Sequence, residues 1–185
     1  VYDCDEAAEV TDPGAEKFAM ASYDYTKPGY LTDSITVYGV VDGSKFVDAE
    51  IPAGKVLVST GVSVKFGLNS GDFITLDEKY KRDVSYKLDI AGVYDYESSL
   101  AVFMNIDDFA RTFGEEEGYF TGYFSNTELT ELPDDDVATV ITASDYTKLS
   151  TQLMVSMGGM MNLIKWFGAL FFIIVVYVLC KQVIE

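Results

Sequence analysis

The residue types able to do chemistry are few in this chain. It contains no His, which removes Ser-His-Asp and Cys-His catalysis, imidazole metal ligands and the commonest general base. Its two cysteines are Cys4, near the start, and Cys180, inside an apolar run. With that run in a membrane the two thiols cannot meet, so no internal disulfide framework is expected. Cys4 reads as an ordinary free thiol before it reads as a reactive one or as a partner for a Cys outside this chain. The carboxylate runs Glu115–Glu117 and Asp134–Asp136 have the residue type that Ca²⁺ prefers. Neither has the spacing of an EF-hand loop, so solvated surface is the reading. Gly67 and Gly71 lie four apart with no Gly-Lys-Ser/Thr to follow, so no phosphate loop is present. No metal, cofactor or catalytic residue is assigned, and an enzyme is the least favoured class.

Charge divides the chain. Residues 1–150 carry 11 basic and 29 acidic side chains, a balance of −18, whereas residues 151–185 carry two Lys and one Glu, or +1. Hydrophobic residues make up 49% and charged ones 23%, which excludes a disordered chain. An acidic portion of this kind lacks the basic face that nucleic acid requires, so nucleic acid is excluded as a partner. The chain opens on Val1 with no apolar signal-peptide core, and reads as a piece of something longer or a processed product.

The tail sets the class. Fifteen uncharged residues run from Trp166 to Cys180. At about 1.5 Å per residue they cover ~22 Å of a hydrocarbon core ~30 Å thick, so the helix must extend past Lys165 or Lys181. Both lysines then sit at the membrane edges, where a long apolar stem lets the ammonium reach the headgroups, and Trp166 suits an interfacial anchor. Twelve Leu, Ile, Phe and Val residues lie between Leu163 and Leu179. Each contributes roughly −0.3 to −0.6 kcal/mol, which outweighs roughly +3 for one central Lys. Insertion wins over a buried helix of a soluble core. One Lys flanks each end, so charge leaves the orientation open. The chain ends in Lys-Gln-Val-Ile-Glu rather than on an apolar terminus, which disfavours a lipid-anchor signal.

Upstream, Tyr146, Leu149, Leu153, Met157, Met160 and Ile164 recur at steps of 3, 4, 4, 3 and 4. That is a coiled-coil type of seam and predicts a stalk helix that runs without a stop into the membrane segment. Ser144 or Asp145 is the expected cap. Gly158 and Gly159 each cost about 1 kcal/mol of helix propensity, so they mark a hinge or a close helix contact. The seam calls for a facing helix that this chain does not contain. Met154, Met157, Met160 and Met161 form either an adaptable contact surface or plain helix packing.

The remainder predicts α+β: a mixed or antiparallel sheet with short helices. Strands are expected at residues 17–26, 35–41, 55–59, from 73, at 83–94, 100–105, 119–125 and 137–142. Short helices are expected over TGVSVKFGL, with Val62, Phe66 and Leu68 inward, and over residues 106–113, with Ile106, Phe109, Ala110 and Phe113 on one side. The thirteen Tyr and twelve Phe sit at strand spacing and read as sheet core rather than as a groove lining. The expected organisation is a linker or the tail of a missing element (residues 1–16), an α+β domain (17–143), a stalk helix (144–162) and a transmembrane helix (163–183).

The segment KVLVSTGVSVKFGLNSGDFITL resembles the strand, short helix and Gly-Asp turn of outer domains in FtsX/MacB-type ABC transporter permeases. IAGVYDYESSLAVFMNIDDF, residues 90–109, is similar to the strand–strand–helix that follows there, and ITVYGVVDGSKF before it and VITASDYTKLSTQL after it fit the same order. The resemblance spans residues 17–185 and is closest to permeases of Gram-positive bacteria. It implies the later part of an extracytoplasmic domain followed by the second of four membrane helices, with residues 1–150 outside the cell membrane. It also implies a separate cytoplasmic ATP-binding cassette ATPase, a second permease copy or half with a facing stalk helix, and an extracytoplasmic substrate or protein partner. Members of the family export peptides, antibiotics or lipoproteins, or activate cell-wall hydrolases. A single-pass membrane-anchored binding or sensor protein without an ATPase is the alternative, and a tail-anchored cytosolic protein a third.

Overall fold

The computed structural model describes residues 1–4, 9–81, 83–129, 137–140 and 143–184. Two compact units result, Val1–Val140 and Ile141–Glu185.

The first unit is α+β, as the alternating apolar pattern predicts. Its strands are β1 (Tyr2–Cys4), β2 (Glu16–Tyr25), β3 (Asp33–Val40), β4 (Val56–Ser59), β5 (Phe73–Asp77), β6 (Ser85–Tyr94), β7 (Ala101–Asn105), β8 (Gly122–Phe124) and β9 (Val137–Val140). Helix α1 (Thr60–Phe66) follows β4, and α2 (Ile106–Phe113) follows β7. The sheet order is β3-β7-β4-β6-β5-β2-β8-β1-β9, and β2 also pairs with β3. That last pairing closes six strands into a barrel, while β8, β1 and β9 extend from the first residues of β2. Closure removes most free strand edges. The β3–β7 and β4–β6 pairs are parallel and the others antiparallel, so the sheet is mixed.

Side-chain alternation explains the two layers of core. Ile35 and Val37 of β3, Val56 and Val58 of β4, Leu88 and Ile90 of β6, and Val102 and Met104 of β7 point into the barrel. Their neighbours Val40, Leu57, Ala101 and Phe103 face outward, where Val47, Ile51, Tyr94 and Tyr96 cover them. Strand β4 is therefore buried on both sides, which is why its sequence is a continuous apolar run and not an alternating one. The loop from Val47 to Ile51 and the aromatic residues Tyr94 and Tyr96 produce this second layer, whereas both helices pack on the first.

The helices are placed by specific devices. Ser59 is fully buried and caps α1: its Oγ accepts from Val62 N at 3.3 Å and Ala101 N at 3.0 Å and donates to the Ser99 carbonyl at 3.0 Å. One hydroxyl thus ties the end of β4, the start of α1 and the start of β7. Val62 and Phe66 enter the core, with Leu68 partly buried against it. Asn105 caps α2 through Asp107 N at 2.8 Å. Phe109 of α2 fills the space above Gly39, where an added Cβ would stand 2.8 Å from the Phe109 Cβ and 3.2 Å from that of the cross-strand partner Ala19. Both helices end on a glycine in the left-handed region, Gly67 (φ 69°) and Gly114 (φ 77°).

Two expectations are refined. Within residues 1–16, expected as a linker or the tail of a missing element, Tyr2–Cys4 forms β1 between β8 and β9, and Tyr2, Val10 and Ala15 pack against Phe120, Tyr123 and Leu129. The apolar residues of an acidic segment suffice for a short strand once a sheet edge is available to it. The strand expected at 119–125 is confined to Gly122–Phe124, because a turn at residues 117–118 and the bonding of Tyr119 N to the Glu116 carbonyl occupy its start. The helix α3 is described from Ala143, and the side chains of the expected caps Ser144 and Asp145 lie outside the described residues.

The second unit is α3 (Ala143–Ile184), one helix of 42 residues. The expected stalk and membrane segments are therefore continuous in backbone.

Candidate functional site

Two features of the molecule have functional character. The first is the apolar half of α3. Leu163–Gln182 is 20 residues long, uniformly apolar apart from its edges, and wholly exposed. At about 1.5 Å per residue it covers ~30 Å, the thickness of a hydrocarbon core. Large side chains that a soluble protein would hide are open here: Phe171 and Phe172 are each 68% exposed and Tyr177 is 69% exposed. Lys165 and Lys181 stand near the two ends, with Trp166 beside the first, and all three are exposed. Ile164, the last seam residue, is 55% exposed. Tyr146, Leu149, Leu153, Met157 and Met160 take helical backbone positions in α3, as do Gly158 and Gly159, and the seam side chains lie outside the described residues. Cys180 is an exposed free thiol on the same helix, and Cys4 closes β1, its side chain outside the described residues.

The second feature is an aromatic cluster at one end of the barrel, edged by carboxylates. Tyr23 of β2 stacks on Phe113 at 4.5 Å and meets Tyr86 of β6 edge-on at 5.7 Å. Phe113 in turn contacts Tyr86 at 4.8 Å and Phe109 at 4.7 Å, and Phe109 lies parallel to Tyr119 at 6.3 Å. Burial raises the phenol pKa of Tyr23, Tyr86 and Tyr119 above the ordinary tyrosine value. The negative charge of Glu115 adds to the shift in all three, and that of Glu78 in Tyr23 and Tyr86. Tyr23, Tyr86, Phe113, Phe109 and Tyr119 thus form one contiguous set of rings, with the charges of Glu78 and Glu115 near its edge. Glu115 also lines an open groove of about 490 Å³ along α2 with Asp107, Arg111 and Glu117.

The sequence singled out the run Glu115–Glu117 without its partner Glu78, 37 positions away. No spacing rule joins them; the closure of β5–β6 against the end of α2 does. Among the described residues no group of three or more Cys, Asp or Glu side chains is placed to hold a metal ion. Asp134–Asp136 lies outside the described residues.

No protein-family model and no curated protein matches this chain. Among solved structures, it is similar to the extracellular domain of the noncanonic ABC-type transporter YknZ from Gram-positive bacteria. The two are 17% identical, with 64% of this chain and 67% of that chain covered, at a TM-score of 0.43. So slight a likeness carries no functional weight.

Proposed function

We propose that this chain is part of a membrane permease subunit of an ABC transporter of the mechanotransmission type. The barrel unit engages a substrate or protein partner outside the cell, and α3 crosses the membrane and couples that unit to a separate cytoplasmic ATPase. A second permease copy or half supplies the facing helix for Tyr146, Leu149, Leu153, Met157, Met160 and Ile164. ATP hydrolysis belongs to the partner in this reading, and the chain itself has no catalytic role. The observation that supports it is α3 itself: 42 residues of unbroken helix whose last half exposes every large apolar side chain among the described residues. A helix of this length can transmit a displacement along its axis, and its apolar half has lipid as its natural solvent. The order of motifs over residues 17–185 supplies the family.

The test is substitution of Gly158→Leu together with Gly159→Leu in the permease reconstituted with its ATPase. The expected result is ATP hydrolysis that no longer responds to the transported substrate, with the barrel still folded by near-ultraviolet circular dichroism. Coupling equal to that of the unaltered protein contradicts the reading and favours the single-pass anchored binding protein.

A further inference from the structure

We infer that the turn between β2 and β3, with the outward face of α1 beside it, rests on the surface of a lipid bilayer. The inference goes beyond the proposed transport role and rests on one part of it, the residence of α3 in a membrane.

Two observations single out this patch, and the first is what it exposes. Pro28 and Gly29 (φ 88°) form a turn that Tyr30 N closes on the Lys27 carbonyl at 2.9 Å, and the hydroxyls of Thr26 and Thr32 meet at 2.7 Å across its base. Lys27 Nζ donates to the Phe66 carbonyl at the end of α1, and Lys65 of α1 pairs with Asp33 at 2.6 Å, so turn and helix are fastened together. What this base presents outward is apolar: Leu31 is 87% exposed, Val64 80% and Tyr30 51%. The backbone that carries them is already ordered, so a contact made there costs little further entropy.

The second observation is charge. Acidic side chains make up 29 of the first 150 residues, yet residues 25–32 and 59–71, which build the patch, hold none in 21 positions and carry Lys27 and Lys65. Asp33, just after the turn, is the carboxylate already ion-paired with Lys65. A protein partner could answer carboxylates with lysines of its own, so it sets no such demand. A bilayer does: its phosphates repel a carboxylate and its hydrocarbon excludes one, while Tyr, Leu and the stems of lysines suit the headgroup layer. Tyr80, at 93% the most exposed ring among the described residues, lies between Glu78 and Asp83 and does not meet that demand. Lipid is also a partner that the chain brings to itself. With α3 in the membrane, the barrel unit is tethered to a bilayer, which raises the effective concentration of that surface.

The experiment is quenching of tryptophan fluorescence by brominated acyl chains, with the full chain reconstituted in vesicles of phosphatidylcholine and phosphatidylglycerol. Trp166 is the sole native tryptophan and reports α3 in the unaltered chain. In Trp166→Phe with Leu31→Trp the new indole reports the turn. It is quenched at least about half as strongly as Trp166, as befits a side chain ~5–10 Å into the headgroup boundary. Adding Val64→Glu puts a carboxylate on the patch at an exposed position and lowers that quenching by about twofold or more, whereas Val64→Leu leaves it unchanged. Trp166→Phe with Tyr80→Trp is not quenched. Equal quenching at positions 31 and 80, or quenching indifferent to Val64→Glu, overturns the inference. An unquenched position 31 with Trp166 quenched counts against this contact alone and leaves the patch to a protein partner. An unquenched Trp166 counts against membrane residence of α3, and so against the transporter reading.

Discussion

The barrel and α3 use the same apolar residue types and dispose of them in opposite ways. In the barrel, Ile35, Val37, Val58, Ile74 and Val102 are fully buried, each facing other side chains. In α3, Phe167, Phe171, Ile173 and Leu179 are all more than half exposed. The barrel meets its apolar surface with itself, through alternation and closure. The last half of the helix exposes its described apolar side chains and satisfies its backbone bonds internally, a surface suited to a hydrocarbon solvent. What the contrast teaches is that apolar content alone decides neither outcome. Strand-length apolar segments, alternating or buried on both faces and bounded by turns, give the first, and a largely apolar stretch of about 20 residues gives the second.

The sharpest way to break the contrast is to make one substitution in both regions. Phe109→Ala removes the ring that α2 lays over Gly39 and costs about 3–5 kcal/mol of barrel stability. Phe172→Ala, the same chemical change on α3, leaves barrel unfolding untouched and shifts membrane insertion by about 0.5 kcal/mol. Denaturant unfolding of the full chain in micelles, followed by near-ultraviolet circular dichroism, measures the first; equal effects of the two variants would erase the distinction.

A smaller effect probes how the barrel fixes its helices. Ser59→Ala removes the α1 cap and leaves Ala101 N–H and the Ser99 carbonyl without their partner, at a cost of about 1–3 kcal/mol. The midpoint of denaturant unfolding falls accordingly with its slope unchanged.

The smallest effect is alkaline. The folded pKa values of Tyr23, Tyr86 and Tyr119 are raised, so the barrel keeps their full stabilisation below the unfolded tyrosine value of about 10 and loses it as pH climbs from there toward the folded values. Ultraviolet difference absorption of the folded chain accordingly shows a set of phenols that ionise only at higher pH than free tyrosine. Their ionisation together with the exposed phenols, in a protein still folded, would contradict the packing described.

Much of this architecture is legible before any coordinates. Val84, Tyr86, Leu88 and Ile90 announce β6 by alternation, Ile106, Phe109 and Phe113 announce α2 by helical spacing, and the run from Trp166 to Cys180 announces the apolar helix. What stays hidden is non-local. Closure of the barrel depends on β2 and β5 meeting at Asp24 and Asp77, two carboxylates that no propensity scale would pair. Strand β1 is three residues inside an acidic stretch, too short to carry a period. The cluster around Tyr23 draws on positions 78, 86, 113, 115 and 119, which only the fold brings together. Its aromatics belong to the core side, as their spacing suggested.

The account stands most directly on whether Leu163–Gln182 resides in a bilayer. Alkaline carbonate extraction of membranes that contain the full chain answers this. The account predicts that the protein stays with the lipid pellet, and that Ile173→Arg with Ile174→Arg, at about 3 kcal/mol for each central charge, releases it. Release of the unaltered protein into the supernatant without detergent would contradict the assignment, and the transporter reading with it.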